Sequence, residues 1–130
     1  MHLDRSLRDL RAHTEIARRF ADWLREDPDQ LVRAARLLGG DAWARRAARV
    51  ATAARRRDAC LHEVLDDLRR LRRLLSLDLV DDPFSEEALR FAAIHPDHPD
   101  ADEARLCCEA VARALPSLEA IGALRLREAA

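Results

Sequence analysis

Residues 41–77 contain a long apolar pattern that constrains the fold more than any other part of the chain. Alternating steps of four and three residues from Trp43 to Leu75 meet an apolar side chain at every position except one. The seam comprises Trp43, Ala47, Val50, Ala54, Arg57, Leu61, Val64, Leu68, Leu71 and Leu75. This spacing places all of them on one face of an α-helix. Because no Gly or Pro interrupts it, the pattern predicts one unbroken helix over about 41–77 that follows Gly39 and Gly40.

A helix of this length does not fit inside a compact domain of 130 residues. At a rise of about 1.5 Å per residue, Trp43 to Leu75 spans roughly 50 Å. A compact chain of this size is only roughly 35–40 Å across. We therefore expect that the bundle is elongated, that the helix bends, or that a second copy of the chain covers its exposed end.

Helix-breaking residues divide the rest of the chain into shorter helices. The expected segments are 4–26, 28–38, a short helix that begins at Asp82-Pro83 or at Ser85 and ends near 94, 101–115 and 117–128. Pro28 ends the first segment and opens the second, and Pro116 breaks or kinks the helix in which it lies. Leu and Ala dominate the composition and aromatic residues are few, which favours helices over sheets. The predicted fold is therefore all-α: one domain, 1–130, forming an elongated bundle of five to six helices around the long central helix.

Large apolar residues outside the central helix are expected to complete the core. In the first helix, Ile16, Phe20 and Trp23 widen the apolar stripe enough for it to pack against two neighbours. The core residues expected in the segments that follow the central helix include Phe84, Leu89, Phe91, Ile94, Leu106, Val111 and Leu115.

Charge is distributed unevenly along the chain, although the net charge is only −1. Residues 1–80 carry 18 Arg against 13 acidic residues, whereas residues 81–130 carry five Arg against 11 acidic residues. The chain contains no Lys. The opposite charges of the two parts favour their attraction within the fold, or alternatively provide a basic face for a partner.

Arg57 and His62 form a candidate catalytic pair. The sequence RDACLH resembles the arginine–histidine motif of HEPN ribonucleases, which are small helical proteins. The resemblance implies an endoribonuclease that needs no metal, in which Arg57 stabilises the phosphate and His62 takes part in proton transfer. Arg57 is also the one charged residue in the apolar seam. Arg8 with His13, and Arg90 with His95, have the same spacing, so this pattern alone does not single out one pair.

A second alternative is nucleic-acid binding by an arginine run. Six arginines lie within 13 residues: Arg45, Arg46, Arg49, Arg55, Arg56 and Arg57. Guanidinium groups at this density could hold a phosphate backbone, and Arg45, Arg46, Arg49 and Arg56 are the candidate contacts. The structural interpretation is a solvated helix face that the acidic C-terminal part neutralises.

His95 and His98 could approach a metal ion from the loop that also contains Asp97 and Asp100. Pro96 and Pro99 stiffen this loop, however, and no second pair of ligands has a familiar spacing. We therefore predict a solvated loop and no metal site. The three cysteines, Cys60, Cys107 and Cys108, form no Cys-x-x-Cys pair and are expected to be reduced.

The common enzymatic signatures are missing from the sequence. It contains three glycines, so it has no Gly-rich phosphate loop, and Glu-x-x-His does not occur. We therefore expect a non-catalytic helical interaction or assembly module without a cofactor, which self-associates or binds another helical protein. No apolar run suits a signal peptide or a membrane span, so we expect a cytoplasmic protein without a membrane partner.

Overall fold

The computed structural model describes residues 2–56 and 61–129, and the side chains of 6–56 and 61–128. Within these ranges the chain forms six α-helices and no strand. The helices are α1 (His2–Glu26), α2 (Asp29–Gly39), α3 (Asp41–Arg55), α4 (Leu65–Leu75), α5 (Glu86–Ala93) and α6 (Pro99–Ala129). The predicted all-α bundle of five to six helices is confirmed. None of these helices is both long and apolar enough to cross a lipid bilayer.

The single helix predicted over 41–77 is wrong, because the chain folds back within it. Helix α3 ends at Arg55, and Arg56 is extended, with φ −65° and ψ 146°. Residues 57–60 lie outside the described ranges; a 3-10 turn over Leu61–Val64 then leads into α4. Arg46 Nη1 lies 3.1 Å from Asp67 Oδ1, whereas an unbroken helix would separate these residues by roughly 30 Å. Helices α3 and α4 therefore form a hairpin.

The seam is nevertheless buried as its pattern predicts. Val50, Ala54, Leu61, Leu68 and Leu71 are each at most 2% exposed and belong to one core cluster. Two short helices lying side by side bury these residues against each other and against neighbouring helices. A rod of roughly 50 Å would leave one of its ends uncovered, so hydrophobic burial favours the hairpin.

Helix α2 occupies the centre of the bundle and contacts α3, α4, α5 and α6. Leu31, Ala34 and Ala35 are completely buried. The small alanine side chains allow neighbouring helices to approach closely. Gly40 ends the helix at a φ of +89°, a conformation that favours glycine, and the chain turns there into α3.

Helix α6 continues through Pro116, so the predicted division into 101–115 and 117–128 is also wrong. An interior proline costs a helix about 3 kcal/mol, since it removes a hydrogen-bond donor and crowds the preceding turn. Residues on both sides of it are anchored: Leu115 and Leu118 are 6% and 2% exposed. Ser117 is buried between them, with its Oγ 2.9 Å from His13 Nδ1 of α1. This packing offsets the local cost.

Helix α5 begins after Ser85, one of its two predicted starts, but it does not enter the core. The Ser85 hydroxyl caps it by accepting a hydrogen bond from the backbone N–H of Ala88 at 3.0 Å. Phe84, Leu89 and Phe91, expected in the core, are 90%, 64% and 43% exposed. The helix is only eight residues long and buries none of them. Its packing against α2 therefore leaves most of its apolar side chains in solvent.

Candidate functional site

The proposed Arg57–His62 pair cannot be placed as a pair, because Arg57 lies outside the described residues. His62 is half-buried in the 3-10 turn between α3 and α4. Its Cβ lies 3.5 Å from the position that a Cβ on Gly122 would occupy, so His62 packs against α6. The ribonuclease interpretation remains a prediction from the sequence.

Two arginines of the run in α3 are engaged within the fold. Arg46 and Arg49 both bind Asp67, at 3.1 and 2.9 Å, and thereby join α3 to α4. The Asp67 side chain is only 14% exposed. The hydrogen bond from Arg49 is the main cause that lowers the pKa of this carboxyl group. These two arginines therefore have a structural role in the hairpin.

The other two candidate contacts to nucleic acid, Arg45 and Arg56, are exposed. The Arg56 guanidinium lies 3.4 Å from Glu63, a contact that spans the break between α3 and α4. Arg46 also lies over the Trp43 ring, 5.2 Å from its centroid, so this indole face is already covered. Nucleic-acid binding by the run remains a prediction.

A polar cleft of about 510 Å³ lies between α3, α4 and α5. Its lining residues are Trp43, Asp66, Arg69, Arg70, Arg73, Leu79 and Glu87. Arg70 pairs with Asp66 at 3.2 Å, and Arg69 pairs with Glu119 at 3.1 Å. The Trp43 indole N–H is directed at Glu87, 3.4 Å away. The cleft therefore contains both charge signs and already satisfies most of its cations.

The histidines of the 95–100 loop use their ring nitrogens for local turns. His95 Nδ1 accepts a hydrogen bond from the backbone N–H of Asp97, and His98 Nδ1 accepts one from that of Asp100, both at 3.1 Å. Across the described residues, no three His, Cys, Asp or Glu side chains are gathered as metal ligands. Cys107 is fully buried, and this burial raises the pKa of its thiol to about 12.

An apolar groove of about 360 Å³ lies between α1 and α6. Its apolar walls are formed by Ile16, Phe20, Trp23, Leu106, Ala110 and Ala114. The Phe20 and Trp23 rings are stacked, with centroids 5.7 Å apart. Phe20 is only 5% exposed, whereas Leu106 stands at the opening with 62% of its surface in solvent. The groove thus combines a buried aromatic wall with a protruding leucine.

The edge of this groove carries both charge signs. Arg19, Glu109 and Arg113 line it. Arg19 binds Glu15 at 3.1 Å, whereas Glu109 and Arg113 form no ion pair with any other described residue. Glu109 and Arg113 are both exposed, so their charges can interact with a partner.

The α6 wall is fastened to the core by an ionic contact. Arg33 of α2 binds both carboxylate oxygens of Glu103, at 2.7 and 2.9 Å, and it also binds Asp27 at 2.8 Å. The paired acids raise the pKa of Arg33. This contact fixes the start of α6 against α2 and the α1–α2 turn.

The sequence contained only a partial signal for the groove. The sequence predicts the wide stripe of Ile16, Phe20 and Trp23, but it also predicts a buried Leu106, which is 62% exposed. Periodicity identifies the apolar positions of a helix, and it does not reveal which of them a neighbouring helix covers. The Arg33–Glu103 contact joins residues 70 positions apart, so no local pattern indicates it.

The chain matches no protein-family model, no curated protein and no solved structure. The geometry of the described residues is therefore the basis for assigning a function.

Proposed function

We propose that this chain is a non-catalytic helical interaction module that associates with a second copy of itself. The observation that carries the proposal is the size of its exposed surface, 8774 Å² for a mass of 14.8 kDa. A compact folded protein of this mass exposes about 7,000 Å², so the excess is about 1,800 Å². A specific interface buries about 800 Å² on each partner. The excess is large enough for one such contact.

The apolar part of this surface supports the same proposal. Large hydrophobic side chains that are more than a third exposed are Leu7, Phe84, Leu89, Phe91, Leu106, Leu124 and Leu126. Single exposed leucines are ordinary on protein surfaces. An exposed leucine beside an open aromatic groove is less ordinary, and such surfaces mark interaction sites.

Of the two sequence arguments for self-association, the opposite charges of the two parts of the chain stay untested and the helix-length argument no longer applies. A rod over 41–77 would be too long for one domain, but α3 and α4 instead form a hairpin. The proposal therefore depends on exposed area and on the apolar groove. Helix length no longer contributes to it.

Sedimentation equilibrium tests the proposal directly. Over a range of about 1 μM to about 1 mM, we expect the weight-average mass to rise from 14.8 kDa towards twice that value. A mass that stays at 14.8 kDa throughout this range would exclude self-association.

A further inference from the structure

We propose that the second copy docks on the α1–α6 groove, with the two α6 helices crossing antiparallel on their exposed side, about a twofold axis midway between Glu109 and Arg113. This inference rests on the proposed function and specifies the surface that performs it. Two features of the groove support a second copy as its occupant: a protruding leucine beside an open groove, and two edge residues of opposite charge that can pair with each other across a twofold axis.

Leu106 is the exposed apolar residue of the α6 wall, with 62% of its surface in solvent. Leu124, 36% exposed, lies five turns further along the same side of the helix. Arg113 and the buried Ser117 lie between them on that side. Leu126 is 74% exposed and lies about 160° around the helix from Leu106. The apolar surface at Leu106 is therefore confined to the groove, and Leu126 lies outside it.

The shape of the surface suits an isologous contact, in which the same patch serves both copies. Each copy offers a protruding Leu106 beside an open groove. With the twofold axis midway between Glu109 and Arg113, the partner's Leu106 lies close to Pro116, at the Ile16 end of the groove. Each leucine can then enter the groove of the other copy, as interface anchors do.

Two groove-edge residues of opposite charge face each other across the same twofold axis. Glu109 and Arg113 lie one helical turn apart, on either side of Val111. An antiparallel pairing of two α6 helices places each Glu109 opposite the partner's Arg113. Two intermolecular ion pairs can then form. This complementarity favours a second copy over an occupant of uniform charge.

A pair of leucine substitutions on the same helix tests the surface. Leu106→Glu places a charge in the groove contact, and we expect it to raise the dissociation constant of the dimer by about 100-fold. Leu126→Glu is the matched control, because it makes the same change at a more exposed position outside the groove. We expect it to leave the dissociation constant unchanged. Circular dichroism melting checks that both variants remain folded.

A charge reversal tests the antiparallel register. Glu109→Arg makes both edge residues positive, and Arg113→Glu makes both negative. We expect each variant alone to dimerise about 10-fold more weakly than the wild type. An equimolar mixture of the two variants restores opposite charges across the axis. We expect this mixture to associate about as tightly as the wild type, which a purely structural effect of either substitution would not produce.

The possible results distinguish a wrong docking surface from a failure of the proposed self-association. If the wild type dimerises and Leu106→Glu dimerises equally well, the groove is not the interface, although self-association stands. If the mixture associates no better than each charge variant alone, the antiparallel register is wrong. A wild type that is monomeric at about 1 mM overturns both the proposed function and this inference.

Discussion

Two surfaces of this molecule expose large apolar side chains, and they differ in how they are built. In the α1–α6 groove, the exposed Leu106 stands beside Phe20, which is 5% exposed and belongs to the core. On the α5 patch, defined by Phe84, Leu89 and Phe91, the supporting helix buries no residue. The groove is therefore held by the packing of the whole bundle. The patch lies on a short helix with few anchors.

The two surfaces also differ in charge. The groove edge carries Glu109 together with Arg19 and Arg113. The patch belongs to segment 78–97, which contains six acidic residues and one Arg. In a twofold contact the acidic residues of the patch would face each other and repel. Exposed apolar area alone therefore does not identify a docking surface. The supporting helices must also be packed into the core, and the surface charges must be compatible with those of the partner.

The comparison predicts a large difference between two phenylalanine substitutions. Phe20→Ala removes a buried ring from the groove wall, and we expect a loss of about 3–5 kcal/mol of unfolding free energy. Phe84→Ala removes a ring that is 90% exposed, and we expect a change of about 0.5 kcal/mol or less. Urea denaturation followed by circular dichroism measures both. Similar losses for the two variants would show that the patch is as well anchored as the groove.

Hydrogen exchange tests the same difference without a substitution. Helix α5 buries no residue, whereas α6 contributes Cys107, Val111 and Leu118 to the core. We expect the backbone amides of α5 to be protected at least about 100-fold less than those in the centre of α6, because α5 can open locally. Equal protection of the two helices, measured by mass spectrometry, would mean that α5 unfolds only together with the bundle.

A serine substitution tests how the two walls of the groove are joined. Ser117→Ala removes the hydroxyl that lies 2.9 Å from His13 Nδ1 and leaves this nitrogen without its partner. We expect a loss of about 1–2 kcal/mol of unfolding free energy. The control is Ser76→Ala, since the Ser76 hydroxyl is exposed and bonds only the nearby backbone. A loss no larger than that of the control would assign the joining of α1 and α6 to apolar packing alone.

The smallest expected effect concerns the α3–α4 hairpin, which lies outside both surfaces. Arg49 and Arg46 lower the pKa of Asp67, so this carboxylate stabilises the fold above its unfolded-state pKa of about 3.9. Asp67→Asn should therefore cost about 1 kcal/mol at neutral pH. The difference from the wild type should narrow as the pH falls from about 4 through the lower folded-state pKa.

Asp66→Asn is the matched control for this pH dependence. Asp66 is the adjacent residue and pairs with Arg70 at 3.2 Å, but its side chain is 74% exposed. We expect its substitution to have little effect at any pH. If the two variants have the same pH profile, Asp67 does not fasten the hairpin, and the helices beneath the polar cleft are held by apolar packing alone.

Local signals in the sequence predicted most helix boundaries. Pro28, Gly39 and Ser85 act on the backbone within one turn, and helices begin or end next to each of them. The break after Arg55 has no such signal. The apolar seam keeps its spacing across the break, because two helices of a hairpin can share a pattern that one long helix would also satisfy. The choice between them depends on which other helices are available to cover the seam.

The candidate site was less predictable for a related reason. Leu106 and Phe84 are apolar and occur in helical segments, so the sequence predicted that both are buried. Whether either is covered depends on contacts with residues far away in the chain. Ser117 and His13, which join the groove walls, are 104 residues apart, and no periodicity connects them.

The groove has walls that are far apart in sequence: its α1 wall ends at Trp23 and its α6 wall begins at Leu106. During translation, α1 therefore leaves the ribosome well before α6 exists. A nascent copy has no groove until most of the bundle has been synthesised and folded. The proposed pairing through this surface would therefore be confined to finished copies, and nascent chains on the same messenger RNA would not associate through it.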